Sequence, residues 1–188
     1  MEIRRFVSGQ GPDGTSVVDA QGAVEPVTVR AMPGVEFFRI WGGNGTPVIG
    51  TGGSAPEFAP YFPKADGGFR FVVVSFPPEQ GPVAAAEGGT EDPAALLGEM
   101  ERVLPGLLGA VQPDEAGLHA TDTVDLGIVL EGELVLELDD GSETVFTQGS
   151  CVVQRGARHA WHNRGTVPAL LACVFLGAEV AGAADPVA

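Results

Sequence analysis

The sequence predicts a mostly β protein of one domain, and three observations carry that prediction. Twenty-eight glycines and fifteen prolines fall between short apolar, β-branched runs instead of forming a repeat, so they read as turns and not as low-complexity sequence. The runs recur at short, even spacing, as the strands of a sandwich or barrel do. With 188 residues, 44% of them hydrophobic, and a mean hydropathy of +0.17, the chain can bury one sizeable core.

The first part, residues 1–78, reads as a β-rich extension. IRRFV, TSVVDA, EPVTVRA, GVEFFRIW and GFRFVVVSF alternate with turn signals such as Gly11-Pro12-Asp13-Gly14 and Gly42-Gly43-Asn44-Gly45. Between Pro47 and Gly68 the spacing loosens and Phe58, Tyr61 and Phe62 stand among prolines and glycines, which suggests a long ordered loop covering an opening. On the strand that follows, Phe69, Phe71 and Val73 share one face, leaving Arg70 and Val72 on the other.

Residues 79–116 read as a connector and one helix near 90–110. Thr90, Glu91 and Asp92 are cap candidates, and Pro93 suits a first turn. Leu96, Leu97, Met100, Val103 and Leu104 then recur at helical spacing until Pro105, followed by a second short turn through Leu107 and Leu108. Such a stripe is expected to pack against the sheet. Residues 117–178 return to strands, expected near 124–130, 133–138, 144–146, 151–154, 159–163 and 169–176, with tight turns between them. Residues 179–188 form a small acidic tail expected to fray.

Charge excludes several partners. The net charge of −15, with Lys64 the only lysine, repels a phosphate backbone and an anionic membrane surface. No apolar run approaches the roughly 20 residues of a spanning helix. MEIRRFVSGQ lacks the apolar stretch of a secretory signal, so the cytoplasm is the expected compartment. Cys151 and Cys173 lie in apolar runs and are expected as buried, reduced thiols.

Chemistry concentrates between Gly117 and Asn163. Strand alternation puts His119, Thr121, Thr123, Asp125, Gly127 and Val129 on one face, with Val124, Leu126, Ile128 and Leu130 opposite. A polar face with a glycine beside the aspartate is what a pocket inside a small barrel looks like. His159, Trp161 and Asn163 share another face and leave His162 on the far side, outside the expected site. If the two strands close on each other, His119, Asp125 and His159 converge. Two imidazoles and a carboxylate suit a divalent iron, zinc or manganese ion. Thr121, Thr123, Gln154, Trp161, Asn163 and, more remotely, Arg70 are candidate substrate contacts.

These residues give the chain a resemblance to the cupin superfamily. The first cupin motif runs His-x-His, three or four residues, Glu, six residues, Gly. Here His119 takes the first place and Asp125 the Glu place, with six residues before Gly132. The second motif is matched by Gly149, the CVV run, Gly156, His159 and Asn163. The longer pattern GLHATDTVD and VVQRGARHAW, with RRFVSGQGPDG near the start, resembles a bacterial and fungal subgroup of single-domain cupins with a β-rich N-terminal extension. The resemblance implies a double-stranded β-helix, or jelly-roll barrel. Thr121 stands where the second histidine of the first motif is usual and Gln154 where the proline of the second is usual, so the ligand set is incomplete.

Three functions follow as expectations. The first is a metal-dependent enzyme on an oxygenated, aromatic or polyketide-like molecule, of dioxygenase, isomerase or decarboxylase type. The second is a metal-free enzyme in which Asp125 and His159 move protons in a dehydration, cyclisation or isomerisation. The third is a small-ligand-binding protein without turnover. The apolar outer face of the 124–130 strand needs cover, and cupins commonly pair, so a homodimer is expected.

Overall fold

The structure is a computed structural model and describes residues 2–49, 56–79, 92–110 and 117–181. Its strands are β1 (Arg4–Gln10), β2 (Ser16–Ala23), β3 (Glu36–Gly43), β4 (Phe69–Phe76), β5 (Thr123–Glu131), β6 (Glu133–Leu138), β7 (Glu143–Thr147), β8 (Cys151–Arg155), β9 (His159–His162) and β10 (Ala169–Gly177). Two helices, α1 (Pro93–Val103) and α2 (Leu107–Ala110), lie between β4 and β5. This is the mostly β fold with one helical insertion that the sequence predicts.

β10 is the centre of the larger sheet, whose order is β3-β4-β10-β5-β8. Its sequence, ALLACVFLG, is apolar at almost every position, and both faces of its first half, Ala169–Cys173, are buried. Leu171, Cys173 and Phe175 join the main core with Val72, Val74 and Val129, whereas Leu170 and Ala172 join a second cluster with Phe38, Ile40 and Val73. The second sheet, β7-β6-β9, brings Leu134 into the main core from the opposite side. Gly132 makes the corner between the sheets. It has φ 75°, and a Cβ there would meet the backbone of Ala169 at 3.0 Å, so a side chain is excluded on two counts.

The N-terminal extension does not stand apart from the barrel. β3 and β4 are strands of the larger sheet, and β4 pairs with β10 from Phe69 to Phe76. Only β1 and β2 form a separate two-stranded sheet, which lays Ile3 and Val24 against the second cluster.

α1 starts where Asp92 caps it, accepting from the Ala94 N–H at 3.0 Å with Pro93 in the first turn. It ends at Leu104 before Pro105. The cap candidates Thr90 and Glu91 lie outside the described residues, as does the tail from residue 182. Met100, Leu104 and Leu107 are buried in the main core, but Leu97 is 45% exposed, so the buried stripe is narrower than the sequence suggests. Cys173 is buried as expected. Cys151 is not: it is exposed on β8, an edge strand of the sheet. No helix among the described residues is long and apolar enough to cross a membrane.

Candidate functional site

Between the two sheets lies a cavity of about 1250 Å³. β3, β4 and β10 wall it with Phe37, Val74, Leu171 and Phe175, and the helices add Leu97, Met100, Leu107 and Leu108. Tyr61 and Phe62 complete the apolar wall from the loop before β4. They stack edge to face on each other with ring centroids 5.0 Å apart, and Phe62 lies 5.2 Å from Phe175. The sequence marked this loop as a cover; the helix it assigned only to packing turns out to share the wall.

β5 presents its polar face inward, as its alternation requires. Asp125 and Gly127 line the cavity. Gly127 provides close packing more than free space, since a Cβ there would approach Val152 Cγ1 to 2.7 Å and Cys173 Sγ to 3.3 Å. Thr121 and Thr123 are buried outside the cavity wall and serve Asp125. The Thr123 hydroxyl lies 2.5 Å from Asp125 Oδ1 and 2.7 Å from the Thr121 hydroxyl. A hydroxyl has one proton, so Thr123 donates to the carboxylate and accepts from Thr121.

His119 and His159 meet, as expected from the sequence. Each donates its backbone N–H to the other's carbonyl at 2.9 Å, and the rings stand 4.3 Å apart between centroids. Nδ1 of His119 faces the Gly117 carbonyl at 3.2 Å, and Nδ1 of His159 faces the Ala157 carbonyl at 2.8 Å. A carbonyl only accepts, so both Nδ1 atoms carry the proton and both Nε2 atoms keep a lone pair.

Burial sets the electrostatics. It pushes the Asp125 carboxyl up to about 6 against the lowering effect of Thr123. Burial, then the neighbouring His119, hold His159 down to about 4. His119 is lowered by burial as well. The Cys173 thiol, buried and near Asp125, is pushed up to about 12. Each group is driven toward its neutral form.

Gln154 stands opposite Asp125 in the β5–β8 register. It is 7% exposed and lines the cavity, and its Nε2 has no hydrogen-bond partner among the described residues. Trp161 lines the same cavity beside His159, its ring 6.3 Å from the imidazole.

Two candidate contacts have other duties. Asn163 lies at the rim, but its Nδ2 donates to the carbonyls of Phe76 and Val167 at 2.8 and 2.9 Å, and its Oδ1 accepts from the Gly165 N–H. Arg70 is 1% exposed and outside the cavity lining. Its guanidinium donates to the carbonyls of Pro60, Gly43 and Phe69 and to Asn44 Oδ1, which spends its donors on loop backbone. His162, set aside by alternation, lies at the mouth, held between Glu79 at 2.7 Å and Glu137 at 2.8 Å. The sequence missed it because β9 is an edge strand and both its faces border the opening.

Two imidazole nitrogens without a third side-chain ligand among the described residues make an incomplete donor set for a metal ion. Among the described residues no three His, Cys, Asp or Glu side chains come together to hold one. His119 and His159 form a pair of nitrogen donors, while Asp125 is tied to Thr123.

Comparison with known proteins places these strands. The family model described as Cupin domain matches residues 108–175. Oryzines biosynthesis cluster protein J of Aspergillus oryzae is 32% identical over 164 residues, covering 86% of this chain and 75% of that protein. The cupin-domain-containing oxidoreductase virC of Hypocrea virens is 42% identical over 62 residues, 31% of this chain and 32% of its own. Among solved structures, the Schizosaccharomyces pombe Cnp3 cupin domain covers 94% of this chain and 87% of its own, with 13% identity and a TM-score of 0.45. The family match covers His119 and the strands that carry Asp125, Gln154 and His159, and with the relative that is 32% identical over 86% of this chain it shows that the chain belongs to the cupin family.

Proposed function

We propose that this cupin is an enzyme that tailors a small, largely apolar, oxygenated metabolite by proton transfer. What carries the reading is the meeting, in one apolar-walled cavity, of a carboxyl raised to about 6 and an imidazole lowered to about 4. Neutral His159 accepts a proton at Nε2, and Asp125 in its protonated form donates one. Between those two values both groups are uncharged, and an acid and a base of that kind can share an apolar site and serve a dehydration, cyclisation or isomerisation. Thr123 keeps the carboxyl in place, and Trp161 shapes the wall beside the base. The role in secondary metabolism is drawn from relatives named for fungal biosynthesis clusters.

A second reading is a metal-assisted reaction of oxygenase, isomerase or decarboxylase type, with iron, zinc or manganese. The relatives named oxidoreductases favour it, as do the paired Nε2 lone pairs, because a histidine ligand commonly donates its other ring N–H to a carbonyl. The test uses extract from a strain lacking the gene, incubated with purified protein before and after exhaustive chelation. Conversion of an accumulated compound that survives chelation and fails in Asp125→Asn and His159→Ala supports proton transfer. Conversion lost with the metal, and metal content lost in His119→Ala and His159→Ala, supports the second reading. Saturable binding of the accumulated compound with no product would make the protein a ligand carrier.

A further inference from the structure

We infer that the Tyr61 hydroxyl is a catalytic donor: it hydrogen-bonds a ketone oxygen of the substrate and holds the enolate oxygen that forms there. This rests on the cavity being the site of proton transfer, and it names the reacting group of the substrate.

The first support is an account of the donors. Tyr61 is 3% exposed and lines the cavity. Its hydroxyl makes no hydrogen bond among the described residues, yet the single side-chain polar atom there that is both enclosed and unpartnered is Gln154 Nε2. The Tyr61 hydroxyl therefore opens onto the cavity, and a donor so placed calls for an acceptor from whatever fills the space. Other donors on the lining are taken. His162 turns both ring nitrogens to carboxylates, Asn163 Nδ2 serves two carbonyls, and the Nδ1 protons of His119 and His159 face backbone carbonyls. The indole N–H of Trp161 is left, but that side chain is only half-buried, on β9 beside the opening.

The second support is how the hydroxyl is held. The ring stands edge-on to Phe62 at 5.0 Å and to Phe37 and Phe175, each at 5.8 Å between centroids. Its N–H donates to the Pro105 carbonyl at 2.6 Å, and Arg70 grips the preceding Pro60 carbonyl. A donor pinned in this way needs no reorganisation as charge develops on an oxygen. Burial, then Cys173 and Asp125, push the phenol above its ordinary range against the pull of Arg39, so it keeps its proton to donate. When His159 Nε2 takes a proton from the carbon beside the ketone, the C–H pair becomes a C=C bond and the carbonyl pair moves to the oxygen that Tyr61 holds. Protonated Asp125 then returns a proton to another carbon, and the proton on His159 restores Asp125.

The test uses acetylnaphthalene, isotopically labelled at its carbonyl, and ethylnaphthalene, with affinity read by calorimetry and the bound carbonyl by infrared difference spectroscopy. In wild-type protein the carbonyl stretch is expected below its position in a hydrocarbon solvent, and the ketone should bind about tenfold tighter than the hydrocarbon. Tyr61→Phe keeps the packed ring, so it should return the stretch to the hydrocarbon-solvent position and the ketone to the hydrocarbon's affinity, with ethylnaphthalene binding unchanged. In the conversion assay the same variant should be about a hundredfold slower. An unshifted stretch in the wild type, a shift that persists in Tyr61→Phe, or conversion by Tyr61→Phe at the wild-type rate would overturn the inference and leave the cavity as the site. A shift without any conversion by wild-type protein would overturn the proton-transfer reading, and the catalytic role with it. Failure of both probes to bind folded protein would overturn this inference together with the reading of the cavity beneath it.

Discussion

At the scale of single residues, Asp125 and His159 respond to pH in opposite senses. Burial raises the Asp125 carboxyl from 3.8 to about 6, so its contribution to stability is whole below pH 3.8 and is lost as pH rises through 6. His159 is lowered from 6.5 to about 4, so its contribution is whole above pH 6.5 and is lost as pH falls through 4. Each displacement is worth about 3 kcal/mol, and the two trends oppose each other in the window they share. Asp125→Asn should therefore lose about 3 kcal/mol as the solution is acidified through that window, and His159→Gln should gain a comparable amount. Urea denaturation at a series of pH values measures both slopes, and profiles of the same sign in the two variants would refute the assignment. Gln154→Leu is expected to raise the stability of ligand-free protein by about 1 kcal/mol, since it removes a buried donor without a partner; a lower denaturation midpoint would count against that. The inward position of Asp125 was legible in the sequence because strand alternation has a period of two, and Gln154 stood out by its place in the second motif. That Gln154 lacks a partner was not, because it depends on what the other sheet fails to supply.

At the scale of elements, alternation and periodicity told which way a side chain turns but not what it meets there. Arg70 falls on the inward face of β4, as read, yet its partners come from the loop at Gly43–Asn44 and from Pro60. The stripe of α1 turns inward, as read, but whether an empty space or a packed sheet faces it depends on contacts far along the chain. Edge strands defeat the same logic: β8 leaves Cys151 exposed within an apolar run, and β9 lets His162 reach the cavity mouth. Arg70 offers the sharpest test. Its guanidinium gathers the backbone that positions Tyr61 and Phe62, so Arg70→Met should cost about 3 kcal/mol or more by leaving buried carbonyls unpaired. The same variant should weaken binding of an apolar probe such as naphthalene, because the aromatic wall of Tyr61 and Phe62 loses its support. Unchanged stability by chemical denaturation would show that the loop is held by other contacts.

At the scale of the whole molecule, the barrel and its one helical insertion were legible because turn chemistry and motif spacing agree. The division at residue 78 was less informative, since β3 and β4 complete the larger sheet. What remains is the outside of that sheet. Register aligns Phe71, Val174, Leu126 and Val153 in one row across four strands, with Leu176 and Ile128 on neighbouring rows. Leu126 is 44% exposed and Val153 60%. Among the described residues the β1–β2 hairpin reaches only the second cluster, through Ile3 and Val24, and leaves the β5–β8 half uncovered. A contiguous apolar face of this kind marks an interface more often than a monomer surface. A two-fold pairing would set the row of one copy on the same row of another. Opposing this is the charge, −15 on each copy, which salt screens. The expected outcome is a homodimer by light scattering at micromolar concentration, tighter at moderate than at low ionic strength. Leu126→Glu with Val153→Glu should give a monomer with an unchanged circular dichroism spectrum, because both side chains lie outside the core. A wild-type monomer at every salt concentration would mean that this face is covered in some other way, and would remove the pairing from the account of the fold.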